Sequence, residues 1–142
     1  MQGEQVEADK KKGIDLMEKA ANAGNKTAAS NMSLAYRKGD GVEVNIEKSI
    51  EWAIKAAELG DDDRIFQYAV AYFNGEDPVT EDKAKAVEFF VLAANAGSST
   101  AMENLGVCYN NGYGVALDKN KAIEWFEKAA KEGGFKKAMD NL

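Results

Sequence analysis

Along residues 99–111 the apolar side chains Ala101, Leu105, Val107, Cys108 and Tyr109 recur at spacings of three and four, the period of an amphipathic helix. Equivalent patterns predict first helices at Lys26–Lys38, Asp62–Asn74 and Ser99–Asn111. A second series is predicted at Ile46–Leu59, Lys83–Ala96 and Lys119–Glu132, with Ile50, Trp52, Ala53, Ala56 and Ala57 as its buried stripe. Gly60 and its equivalents Gly24, Gly97 and Gly133 end these helices, because glycine takes the left-handed conformation without steric cost. Asn25, Asp61 and Ser98 come next and can cap the helix that follows. Asn45, Asp82 and Asp118 can do the same for the second helix of each pair.

The punctuation is periodic. The four glycines stand 36, 37 and 36 residues apart. Tyr36, Tyr72 and Tyr109 follow the first three at a fixed distance, then Gly39, Gly75 and Gly112. Alanine pairs at 20–21, 56–57, 93–94 and 129–130 keep the same register. The stretches SIEWAIKAAELG, AVEFFVLAANAG and AIEWFEKAAKEG are three versions of one helix. The expected organisation is a single all-α repeat domain over 1–142. It comprises a half repeat at 5–24, repeats at 25–60, 61–97 and 98–133, and a partial repeat at 134–142. Alanine pairs allow close helix approach, and Trp52, Phe89 and Trp125 fill the larger gaps. Burying one such aromatic contributes about 3 kcal/mol. No hairpin buries its apolar faces alone, so the stack supplies the core.

The third unit resembles a Sel-1-like repeat, a relative of the tetratricopeptide repeat. The resemblance rests on Ala101, Leu105, Gly106, Tyr109, Gly112, Gly114, Val115, Asp118, Lys121, Ala122, Trp125, Lys128, Ala129, Ala130 and Gly133. The first unit matches at Ala28, Tyr36, Gly39, Gly41, Val42, Lys48, Trp52, Lys55, Ala56, Ala57 and Gly60, with Met32, Ser33 and Asn45 as departures. In the second, Arg64 replaces the leading alanine and the loop GEDPVTED carries an extra residue and the sole proline. The resemblance implies a right-handed α/α superhelix, a solenoid of antiparallel helix pairs. It also implies a concave binding surface lined by the first helices, and scaffold or adaptor roles. Some relatives staple each hairpin with paired cysteines; Cys108 belongs to no such pair.

Composition narrows the chemistry. With 18 basic and 24 acidic residues the net charge is −6, which disfavours nucleic acid and anionic membranes as partners. No apolar run reaches the roughly 18 residues of a membrane span, and the amino terminus lacks an apolar signal core. A soluble chain follows, leaning cytoplasmic, with its compartment left open. The chain has no histidine, the commonest general base and metal ligand. Cys108 shares its register with Ala35 and Ala71 and reads as a core thiol. The acids of DDDR at 61–64 suit a helix start better than a cation site. GEDPVTED lacks the ordered ligand spacing of a calcium loop, and the GDG and GYG loops lack a phosphate-binding lysine. The expectation is a non-enzyme without cofactor or metal.

Removing core positions from the first helices leaves a candidate partner surface. The first unit contributes Ser30, Asn31, Leu34 and Arg37, with Lys38. The second contributes Phe66, Gln67, Val70, Phe73 and Asn74. The third contributes Glu103, Asn104, Val107, Asn110 and Asn111. Asn31, Gln67 and Asn104 share one register, and their amides either pair with an extended backbone or brace helix contacts. Phe66 and Phe73 either await a partner or pack on the adjacent hairpin. The leading expectation is a scaffold or adaptor that binds a peptide or protein segment on the concave face. The alternative is a structural building block that self-associates end to end through the neighbourhoods of Met17, Met139 and Leu142. A related alternative is a fragment of a longer array in an envelope or signalling complex.

Overall fold

A computed structural model describes residues 2–140, with side chains from 3 to 134. The described residues form seven helices and no strand: α1 (Gln2–Asn22), α2 (Lys26–Lys38), α3 (Ile46–Glu58), α4 (Asp63–Asn74), α5 (Lys83–Asn95), α6 (Ser99–Asn111) and α7 (Lys119–Asp140). The all-α class and the paired-helix periodicity are as the sequence predicts.

The helix starts follow from single side chains. Asn45, Asp82 and Asp118 accept hydrogen bonds from the backbone N–H groups of Lys48, Lys85 and Lys121 at 3.0, 3.0 and 3.1 Å. Each satisfies an amide that the helix itself leaves unpaired. Asn25 and Ser98 do the same for Ala28 and Ala101. Asp61 instead accepts from the N–H of Asp63, and α4 starts one residue later than expected. The helix ends use glycine where the chain must turn left-handed: Gly24, Gly60 and Gly97 all have φ above +100° or at it. The residue after each returns its N–H to a carbonyl five residues back, as in Asp61 to Ala56 at 2.8 Å, closing a Schellman-type cap.

Gly133 departs from this pattern. Sequence periodicity ends a helix there, yet α7 continues through Gly133 and Gly134 to Asp140. The reason lies one residue further on. Asn25, Asp61 and Ser98 each supply a side-chain acceptor that starts a new element, whereas Gly134 has no side chain to compete with helix continuation. The side chains of the expected partial repeat at 134–142, including Met139, and the whole of Leu142 lie outside the described residues.

The chain divides into two compact units, Met1–Arg64 and Ile65–Leu142. In the first, α2 packs between α1 and α3. Ala21, Ala28, Ala29 and Ala56 form one cluster and Ile14, Met32 and Ala35 another, with Trp52 packed against both. Small residues allow the close crossing of α2 and α3. Ser33 Oγ donates to the Ser49 carbonyl and Ser49 Oγ to the Ser33 carbonyl, both at 2.7 Å and fully buried. In the second unit Ile65, Tyr68, Phe89, Phe90, Leu105 and Cys108 are buried. Phe89 meets Tyr72 edge to face at 5.5 Å. Gly106 takes the position that Ser33 holds in the first unit, and the Phe126 ring occupies the space of its missing Cβ.

The loops are anchored alike. The N–H groups of Asn45, Asp82 and Asp118 donate to the carbonyls of Tyr36, Tyr72 and Tyr109 at 2.9, 2.8 and 2.9 Å. Gly114 has φ +72°, and a Cβ there would stand 2.4 Å from the Lys83 carbonyl oxygen; no other residue fits that approach. The Asp77–Pro78 peptide in the longer loop is cis.

Candidate functional site

The first helices place the expected residues unevenly. In α2, Asn31 and Arg37 are exposed and Leu34 half-buried, while Ser30 is buried and its hydroxyl accepts from Arg64 Nε at 3.3 Å. In α4, Gln67 and Asn74 are exposed and Phe66, Val70 and Phe73 half-buried. In α6, Glu103, Val107 and Asn111 are exposed and Asn104 and Asn110 half-buried.

Two pockets recur at one register. In the second unit, Val70, Phe73, Asn74, Phe90, Asn104, Val107 and Cys108 enclose about 210 Å3. In the first, Met17, Asn31, Leu34, Ala35, Lys38 and Asp40 line about 270 Å3. Met17 and Phe90, Asn31 and Asn104, Leu34 and Val107, and Ala35 and Cys108 are each 73 residues apart. An apolar floor from a second helix and an amide from a first helix are therefore built twice. Phe90 and Cys108 were not among the residues expected from sequence. Their periodicity marks them as core, and a pocket floor has the same periodicity as a core.

The aromatic residues of α4 are held from both sides. Phe66 and Phe73 stand edge to face on Phe90 at 5.9 and 6.4 Å, and Phe73 also meets Tyr113 at 5.9 Å. Lys83 Nζ lies 4.4 Å from the centre of the Phe73 ring, donates to the Phe73 carbonyl at 3.1 Å, and pairs with Glu81. Asn74 donates to Glu76, Asn111 donates to the Val107 carbonyl, and Asn110 accepts from Lys119 at 3.0 Å. Asn31 and Asn104 stand on the pocket walls themselves, whereas Gln67 lines neither pocket.

A recurrent lysine contact escaped sequence reasoning. Lys48, Lys85 and Lys121 place their ammonium groups 5.4, 5.8 and 5.4 Å from the rings of Tyr36, Tyr72 and Tyr109. Lys55 and Lys128 sit over Trp52 and Trp125 at 5.4 and 4.6 Å. Cation–π attraction explains why lysine recurs at these positions. The signal was present in the constant spacing from the capping residue, three positions after Asn45, Asp82 and Asp118.

Burial pushes the Cys108 thiol above its ordinary range, with the nearby Lys83 charge pulling weakly the other way. A protonated thiol is a poor nucleophile. The carboxylates of Asp61, Asp62 and Asp63 approach within 4.8 Å of one another at the start of α4, where the helix dipole favours acids. No helix among the described residues is long and apolar enough to cross a membrane.

Paired helices of fixed period, joined by glycine loops, define the helical-repeat class of protein. The Sel1 repeat model matches residues 1–25, 27–61, 65–98 and 99–134. The chain belongs to the Sel1 repeat family. Its solved neighbours include a Sel1 repeat protein from Oxalobacter formigenes, 32% identical, with a TM-score of 0.65 over 92% of this chain and 98% of that one. The chain is also similar to c5321, a protective antigen of uropathogenic Escherichia coli with an SLR fold. That match is 31% identical, TM-score 0.60, over 84% of this chain and 26% of that one. Helicobacter pylori cysteine rich protein B is 26% identical, TM-score 0.56, over 90% and 91% of the two chains. None of the curated proteins compared matches the chain significantly. Sel1 repeat proteins are generally protein-interaction scaffolds and typically non-enzymatic.

Proposed function

We propose that the chain is a non-enzymatic interaction module, a single array of repeats that binds a peptide or protein segment along the face carried by its first helices. The supporting observation is the twice-built pocket. Each pocket is large enough for one apolar side chain, and each has an amide on its wall, Asn31 or Asn104, that can both donate to and accept from a peptide backbone. Met17, Leu34, Phe90 and Val107 supply the apolar contact and the amides supply direction. Ser30, being buried, takes no part. Phe73 contributes as a wall already fixed by Phe90 and Tyr113, which reduces the ordering cost of binding.

The test is selection from a displayed random-peptide library, followed by affinity measurement on the selected peptide. Replacing both Asn31 and Asn104 by alanine should weaken that peptide at least tenfold while helicity is unchanged. Retained affinity in the folded double variant would remove the pockets from the binding surface.

A further inference from the structure

The second helices carry one apolar stripe in a constant register, and in α7 that stripe is uncovered. In α5 it is Val87, Phe90 and Ala94, exposed by only 5%, 3% and 3%. In α7 the equivalents are Ile123, Phe126 and Ala130; Ile123 is 54% and Phe126 40% exposed, and Ala130 is exposed. One edge of the Phe126 ring is seated on Gly106, so the residue is fixed in place with its outer side open. Ala122 and Ala129, which face α6, are buried as in the other repeats.

What covers this stripe is visible elsewhere in the chain. On α5 it is α6, whose residues in that register are Ala101, Leu105 and Cys108, together with Phe66 and Phe73 of α4 on the Phe90 ring. At the places of those two rings α6 offers α7 only Glu103 and Asn110. On α1, whose stripe is Ile14, Met17 and Ala21, it is α2, through Ala28, Met32 and Ala35. Both covering helices read Ala, then Leu or Met four residues on, then a small residue three further. A second contact accompanies each. Gly114, after α6, lies against the Lys83 carbonyl at the start of α5, and Gly41, after α2, lies against Lys10 and Ile14 of α1. The corresponding place on α7 is Lys119. The α2 and α6 of a second copy cannot supply the cover, because there these residues are already buried, none more than 7% exposed.

We propose that Ile123, Phe126 and Ala130 form a docking surface for an amphipathic helix of a partner polypeptide. Its pattern is Ala-x-x-x-(Leu/Met)-x-x-(Ala/Cys), running into a glycine turn that settles on Lys119. It lies on α7 as α6 lies on α5. This surface is separate from the pockets, so its failure leaves the peptide-binding reading intact.

The probe is a synthetic peptide of residues 98–115, the chain's own α6 with its cap and glycine loop. It carries Cys108→Ala and a hydrocarbon staple between the exposed positions 103 and 107, because an isolated helix of this length does not hold together in water. Titrated into the isotope-labelled chain, it should give saturable amide shifts grouped within 119–134. The Ile123→Glu variant, altered at an exposed site, should bind at least tenfold more weakly with the amides of α2 unmoved. A peptide carrying Leu105→Glu should not bind. The proposal is overturned by shifts that cluster at Asn104 and Val107, by the absence of saturable shifts, or by full affinity in Ile123→Glu. Dimerisation through α7 without peptide would also overturn it, giving the surface to a second copy.

Discussion

Gly114→Ala separates two physical costs that glycine avoids at this loop. Gly114 and Gly112 have nearly the same left-handed backbone, φ +72° and +74°. Alanine in that conformation costs about 1–2 kcal/mol at either site. The sites differ in what the new methyl meets. At Gly112 the nearest atom is Leu117 Cβ at 3.5 Å, an ordinary contact. At Gly114 it is backbone: Lys83 O at 2.4 Å, Lys83 C at 2.5 Å and Ala84 N at 2.9 Å. A helix start cannot swing aside as a side chain can, so crowding adds about 1–3 kcal/mol. The expectation is a loss of about 2–5 kcal/mol for Gly114→Ala against about 1–2 kcal/mol for Gly112→Ala. Urea unfolding followed by circular dichroism measures both, with the slopes compared to establish that cooperativity is unchanged. Gly41→Ala should fall between them, because its nearest neighbour is the side-chain carbon Ile14 Cγ1 at 3.0 Å. Equal losses at 112 and 114 would refute the claim that the loop is seated on α5.

Other measurements probe the core. Ser33→Ala and Ser49→Ala should each cost about 1 kcal/mol, since each removes one buried hydroxyl bond. The double variant should cost clearly less than their sum, because it creates the all-alanine crossing already present at Ala69 and Ala86; strict additivity in a double-mutant cycle would count against coupling. For Cys108 the folded thiol titrates above the unfolded value of about 8.5. Unfolding therefore releases a proton in alkaline solution. The stabilising contribution is full below the unfolded value and declines as pH rises through it toward the folded one. Wild type should lose more stability between neutral and alkaline pH than Cys108→Ala does; parallel losses would contradict the assigned burial effect.

Much of the fold was legible because helix signals are local. Asn45, Asp82 and Asp118 are acceptors at the right offset from a lysine amide, and no distant residue is needed to recognise them. Gly133 misled because a helix stop depends on two residues. The segment before it copies its relatives, but Gly134 lacks the acceptor that Asn25 and Ser98 provide. The pockets were harder to foresee. Asn104 and Val107 could be placed on an outward face from their register, but the depth beneath them depends on the volumes of Phe90 and Cys108. Those volumes come from another helix or from the core side of the same one. Phe73 shows the same limit: its register is shared with Arg37 and Asn110, and only three-dimensional packing puts it between Phe90 and Tyr113.

The backbone bond from the capping residue to the tyrosine carbonyl has an evolutionary consequence. Tyr36 and Asn45 are nine residues apart, as are Tyr109 and Asp118, but Tyr72 and Asp82 are ten apart. The closing distance is nevertheless 2.8 Å in the longer case and 2.9 Å in the others. Everything between the two anchors can lengthen while the helices on either side keep their alignment. The loop is thus a splice point, where a lineage can insert or exchange a short segment and leave the packing of the pair untouched.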